Sequence, residues 1–287
     1  MKDFEYTAPQ TLREAVKLLA DKGDAARVLA GGTDLIVQMR GRRHQPERVV
    51  DIKNIAEANE LGFTPRKGLR IGAAVPCHLI YHNEDVAERF TALVDSSMIV
   101  GGIQIQGRAT LGGNLCNASP AADGVPALLT LGAEVEICAQ RGSRVVPLAA
   151  FIRGPRQVDL APDEMVSALL IPALSADARG GFVKLGSRRH MVISIAMVAV
   201  LAEVAGGRLG DLRIAVGSCA PVATRLPALE ARLAGLSRAE VQAADLADPA
   251  ALAPLSPITD VRGTAEYRHA VVAELCRRAV LQAGGEW

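Results

Sequence analysis

The sequence predicts an α+β fold: a two-part first domain, made of a small α/β unit and a strand-rich subdomain, then a C-terminal α+β domain with a small antiparallel sheet and helices. Three observations carry this expectation. Helical and strand-like apolar stretches alternate up to about residue 57, and short strand-like runs dominate 58–175. Beyond Pro172, three strand-like runs precede an alanine- and leucine-rich stretch and a long amphipathic segment. A chain of 287 residues is expected to divide into parts, because single cores stop growing at about 250–300 residues. The expected domains are 1–175, with subdomains at about 1–57 and 58–175, and 176–287.

In chain order, Leu12, Ala15, Val16, Leu18 and Leu19 form a helical stripe over Thr11 to Lys22, with Thr11 placed to cap it. A strand to Ala30, a glycine turn, a helix to about Arg43 and a strand over 48–52 follow, which suggests a parallel strand pair. Residues 61–74 read as a hairpin turning at Gly68, and helices are expected over about 76–81, 90–100 and 124–131. Residues 134–138, 144–146 and 165–171 read as strands, as do 182–186, 193–204 and 212–216, with a turn at Gly206-Gly207 between the last two. The stretch 228–255 and the amphipathic segment 267–283 supply the closing helices.

Composition excludes several functions. Lys and Arg total 32 against 31 Asp and Glu, so no net field draws the chain to nucleic acid or to an anionic membrane. Aromatics at 3% argue against base-stacking platforms. The longest apolar run, Met191 to Ala202, is interrupted by Ser194 and falls short of the roughly 20 residues a membrane helix needs. Asp3 and Glu5 stand where a signal peptide would be basic, so the expected compartment is cytoplasmic. The cysteines at 77, 116, 138, 219 and 276 and the scattered histidines offer no metal-ligand spacing, and no metal site is expected. Cys116 reads as a small buried thiol.

Two glycine-rich turns stand out. The stretch Gly107 to Pro126 packs four glycines, two prolines and two asparagines into twenty positions. Glycine pairs let backbone N–H groups approach a bulky ligand, and consecutive N–H groups pointing into one concavity bind anions. Arg108 is the stretch's one cation, so a phosphate there would be held chiefly by backbone donors, Thr110, Asn114 and Ser119. The second turn, Ala30-Gly31-Gly32-Thr33-Asp34, follows the apolar run Val28-Leu29-Ala30, and Thr33 is placed to cap a helix beyond it. The negative Asp34 suits a ribose hydroxyl or an amide better than phosphate. A tight loop between core elements is the competing reading of either pair alone. Neither turn has the G-x-G-x-x-G spacing of the dinucleotide-binding fold.

Together, Ala-Gly-Gly-Thr-Asp-Leu at 30–35 and Thr-Leu-Gly-Gly-Asn at 110–114 resemble the paired flavin-diphosphate loops of the FAD-binding medium subunits of molybdenum hydroxylases. That family includes subunits of carbon monoxide, nicotinate and bacterial xanthine dehydrogenases. The resemblance spans the chain, through Phe4-Glu5-Tyr6, Val49-Val50-Asp51-Ile52, Ser119 to Asp123, Lys184 to Arg189, and Arg262 to Arg268. It implies that Arg27, Val28, Leu29, Ala30, Gly31, Gly32, Thr33, Asp34, Thr110, Gly113, Asn114, Asp123 and Lys184 contact the cofactor, Lys184 from the C-terminal domain. A cation near the flavin's pyrimidine end would raise its potential. The family pattern departs at Gln104-Ile105-Gln106-Gly107-Arg108-Ala109, where a positive and an amide side chain are lost.

The implied function is an oxidoreductase subunit that passes electrons from a [2Fe-2S] partner through FAD to NAD or another acceptor. Hydroxylation of a purine or aromatic N-heterocycle would occur on a separate molybdopterin subunit, often in a dimer of heterotrimers. No catalytic residue is expected on this chain. Neither glycine loop carries a histidine, so the FAD is expected to be noncovalent. A stand-alone flavin oxidase or reductase of the same wider fold and a non-catalytic nucleotide-binding scaffold are the rival readings.

Overall fold

The structure, a computed structural model, describes residues 1–285 and Trp287. The chain opens with β1 (Glu5–Thr7), α1 (Leu12–Lys22), β2 (Ala26–Leu29), α2 (Leu35–Arg40) and β3 (Arg48–Asp51). The strands form a parallel sheet in the order β1–β3–β2, so the expected pair gains a third member. Central β3 is buried at all four residues. The Thr11 hydroxyl caps α1 by accepting the Glu14 amide at 3.2 Å, and Ala15, Val16 and Leu19 turn inward. Helix α2 ends before the expected Arg43, because Gly41 bonds back to the Val37 carbonyl and Arg42 adopts a left-handed φ of 57°.

The middle of the chain holds β4 (Leu61–Thr64), β5 (Gly68–Gly72), α3 (Cys77–His82), α4 (Glu84–Arg89), α5 (Thr91–Met98), α6 (Ile103–Gln106), α7 (Leu111–Asn117) and α8 (Gly124–Thr130). It continues through β6 (Glu134–Ala139), β7 (Gly142–Pro147), α9 (Leu148–Phe151), β8 (Ile152–Gly154), β9 (Gln157–Val158) and β10 (Met165–Ile171). Its five-stranded antiparallel sheet runs β4–β5–β10–β6–β7. The sequence pattern missed α4, which starts where the Asn83 side chain accepts the Val86 amide.

The last part contains β11 (Ala178–Leu185), β12 (Ala196–Ala205), β13 (Arg208–Gly217), β14 (Thr224–Arg225), α10 (Pro227–Leu233), α11 (Arg238–Ala243) and α12 (Ala265–Gly284). Its antiparallel sheet runs β11–β12–β13–β14. Gly206 and Gly207, at φ 57° and 73°, close the β12–β13 hairpin as a two-residue turn that needs φ > 0 twice. Strand β12 is buried on both faces. Met197, Ala199 and Leu201 enter the core of the preceding part, while Ala196, Val198, Val200 and Ala202 enter a second core shared with α10 and α12. Side chains alternate across a strand, so a strand serving two cores must be apolar without interruption, as this run is.

A polar cluster ties β7 to the loop before β10. Glu164, buried, accepts Arg144 at 2.7 and 3.0 Å, Arg141, and the Ala161 amide at 2.9 Å. The Arg144 hydrogen bonds lead in holding its carboxyl down, from an ordinary 4.5 to about 2. A depressed folded-state pKa contributes stability that is complete above pH 4.5 and is lost as pH falls towards 2. Glu164→Gln should therefore unfold more easily than wild type at pH 7 by about 2 kcal/mol in urea. The gap should close in acid.

Candidate functional site

The two glycine turns lie against each other. A Cβ added to Gly31 would sit 2.0 Å from the Arg108 carbonyl oxygen and 3.0 Å from the Ala109 Cα, so only glycine permits the approach. Gly32 takes a left-handed φ of 76°. Among the described residues, the amides of Gly31, Gly32, Thr33 and Asp34 find no protein acceptor. These four partly or fully exposed positions leave a row of donors at the turn. Thr33 does not cap α2. The cap position falls one residue later, on Asp34, whose carboxylate accepts no amide there and stays exposed.

The second turn is pinned to the start of α3, where the Cys77 amide donates to the Ala109 carbonyl at 2.8 Å. The Thr110 hydroxyl, buried, caps α7 by accepting the Gly113 amide at 2.9 Å. Asn114 Oδ1 accepts the Gly124 amide at 3.3 Å, which takes up the leading donor of α8, and Ser119 accepts Ala121. These side chains thus shape the loop first. Arg27 turns to the carbonyls of Asp24 and Ala26 at 2.8 and 2.7 Å. Gln106, at the departure from the family pattern, is buried and clamped between Tyr81 and the Met98 carbonyl. Cys116 is exposed rather than buried, because α7 turns Leu111, Gly112 and Leu115 inward.

Asp123 and Lys184 meet across the two parts of the chain. Lys184 Nζ lies 2.8 Å from Asp123 Oδ2, and Ser194 Oγ donates to Asp123 Oδ1 at 2.7 Å. Both charged side chains are about nine-tenths covered, with 10% and 11% exposed. Burial raises the Asp123 carboxyl above its ordinary value, and the lysine charge and both hydrogen bonds act against that rise. Nearby, Ser218 holds a left-handed φ of 65° and gives its amide to the Pro120 carbonyl. The Gly217-Ser218-Cys219 segment is therefore a strand-end turn against the second loop.

Sequence reasoning missed Ser194 and Lys53. The hydroxyl interrupting an otherwise apolar run was the only signal for Ser194. Lys53 Nζ lies 2.6 Å from the buried Asp51 carboxylate and donates to the Ala30 carbonyl at 3.3 Å. Tyr6 donates to the same carboxylate oxygen at 2.6 Å. Burial alone would raise Asp51, yet the Lys53 and Tyr6 hydrogen bonds bring its carboxyl below the ordinary value.

Residues 2–174 match the FAD binding domain in molybdopterin dehydrogenase. The chain belongs to the molybdopterin dehydrogenase FAD-binding family. Residues 182–283 match the CO dehydrogenase flavoprotein C-terminal domain. The nicotine 6-hydroxylase medium subunit of Paenarthrobacter nicotinovorans is 33% identical over 98% of this chain and 97% of its own. The putative xanthine dehydrogenase FAD-binding subunit of Escherichia coli is 31% identical over 100% and 99%. The carbon monoxide dehydrogenase of Hydrogenophaga pseudoflava superposes with a TM-score of 0.91 at 31% identity, covering 98% of this chain and 97% of that one.

As a member of this FAD-binding family, the chain is a medium subunit of a molybdenum hydroxylase complex and part of an oxidoreductase. Its free amides and absent Cβ atoms fit a diphosphate-bearing cofactor. Among the described residues, no helix is long and apolar enough to cross a membrane.

The buried pair can be tested. Lys184→Met leaves a buried carboxylate without its counter-charge and should cost about 3–5 kcal/mol. Adding Asp123→Asn should recover most of that loss in urea denaturation, and a loss shared unchanged by the double variant would show that the ion pair is not its source.

Proposed function

We propose that this chain carries noncovalent FAD between its two glycine turns and passes electrons from a [2Fe-2S] small subunit to NAD or another acceptor. FAD, when bound, would supply a centre that takes up electrons one at a time from an iron–sulfur cluster and can release them as a pair. The residues proposed to contact it are those of 27–34, Thr110, Gly113, Asn114, Asp123 and Lys184. The backbone amides of 31–34 hold the diphosphate, and the exposed Asp34 carboxylate accepts from ribose hydroxyls. Asp123 and Lys184 close the cofactor's far end, where their mutual pairing keeps the local charge balanced.

The observation that carries this reading is the contact of Gly31 with the Arg108 carbonyl, which sets a row of unpaired amides at the junction of the two turns. A chain boundary near residue 175 separates the part bearing both turns from the part bearing Lys184. The working assembly would be a cytoplasmic dimer of heterotrimers with a molybdopterin large subunit. The hydroxylated substrate would be a purine or aromatic N-heterocycle, in keeping with the nicotine- and xanthine-acting names of similar subunits.

The test uses the full-length chain, stripped of flavin and titrated with FAD. Wild type should take up one FAD per chain, whereas Gly31→Val should retain none in gel filtration while keeping its far-ultraviolet circular dichroism. The loaded protein should then bleach when mixed with a reduced [2Fe-2S] partner and recover its absorbance on adding NAD or another acceptor. A wild-type chain that takes up no FAD would end the reading.

A further inference from the structure

We infer that Lys53 is a positioning residue for the cofactor diphosphate, acting through the Ala30–Gly31 peptide. The inference rests on the flavin reading and adds a residue outside both glycine turns. Lys53 Nζ donates to the Ala30 carbonyl at 3.3 Å. In a planar trans peptide the C=O and the following N–H point in opposite directions. Holding the Ala30 oxygen towards Lys53 therefore turns the Gly31 N–H away from it, and that N–H has no protein acceptor among the described residues.

The lysine is itself held. Asp51 Oδ2 lies 2.6 Å from Nζ, Asp51 Oδ1 accepts the Lys53 amide at 3.0 Å, and Asn59 donates to the Lys53 carbonyl at 2.9 Å. The ammonium thus has two acceptors, the Asp51 carboxylate and the Ala30 carbonyl of the first turn. Among the described residues, no other charged side chain donates to the backbone of 30–35. A cation there polarises the Ala30 peptide and strengthens its N–H as a donor to an anion. Tyr6 shares Asp51 Oδ2 with the lysine but, among the described residues, makes no hydrogen bond to the first turn, so it separates loss of support for Asp51 from loss of the bond to Ala30.

The experiment measures FAD affinity of the flavin-stripped full-length chain by fluorescence quenching, alongside its thermal midpoint. Lys53→Met should weaken binding on the order of tenfold, Lys53→Arg should restore most of it, and Tyr6→Phe should lower the midpoint with affinity unchanged. Equal losses of affinity in Lys53→Met and Tyr6→Phe, or no loss in Lys53→Met, overturn the inference. Lys53→Gln gives a second readout, since it keeps a donor without charge. A shallower salt dependence of its FAD affinity than wild type supports the inference, and an equal one overturns it. Absence of FAD uptake by wild type overturns the functional reading itself, and this inference with it.

Discussion

The site depends on one steric fact: the backbone of the first glycine turn touches the backbone of the second, and a single methyl group would part them. The contact needs Gly31 to lack a Cβ. It also needs each turn to arrive at a fixed place. The parallel sheet delivers the first turn from the end of β2, where the Ile52 amide bonds the Leu29 carbonyl. The second is delivered by its bond to the start of α3. Two supports meeting at one glycine leave the intervening amides without protein acceptors among the described residues, which is what an anion-binding backbone requires.

A second constraint joins the middle of the chain to the C-terminal sheet. Asp123 belongs to the loop that follows the second turn and Lys184 to β11, so a buried ion pair crosses between them with Ser194 as its third member. Such a pair is weak evidence for stability, because desolvation offsets much of the attraction. Its more secure effect is geometric. Both carboxylate oxygens are engaged, which fixes where the β11 end lies relative to the glycine turns.

Much of this was legible in the sequence because it depends on local chemistry. The Gly-Gly pairs, the Gly206-Gly207 hairpin and the stripe of α1 each follow from spacing and residue type alone. The boundaries that moved did so where a neighbour decides the matter. Thr33 has the chemistry of a cap, but the helix starts a residue too late to use it. Strand β1 is three residues long and exists because β3 offers it a parallel edge, so no periodicity could announce it. Lys53 and Ser194 gain their roles from groups far away in sequence or across the fold, Ala30 and Asp123 respectively. A lysine two residues after an aspartate is unremarkable until the Ala30 carbonyl is placed beside it.

The double burial of β12 sets how far the two ends of the protein are independent. Met197, Ala199 and Leu201, with Phe182 of β11, complete a core built mostly from earlier residues. Severing the chain near residue 180 would leave the C-terminal sheet with one wetted apolar face, and that fragment would be driven to self-associate or to recapture its missing half. The cohesion runs straight across the loop between β10 and β11.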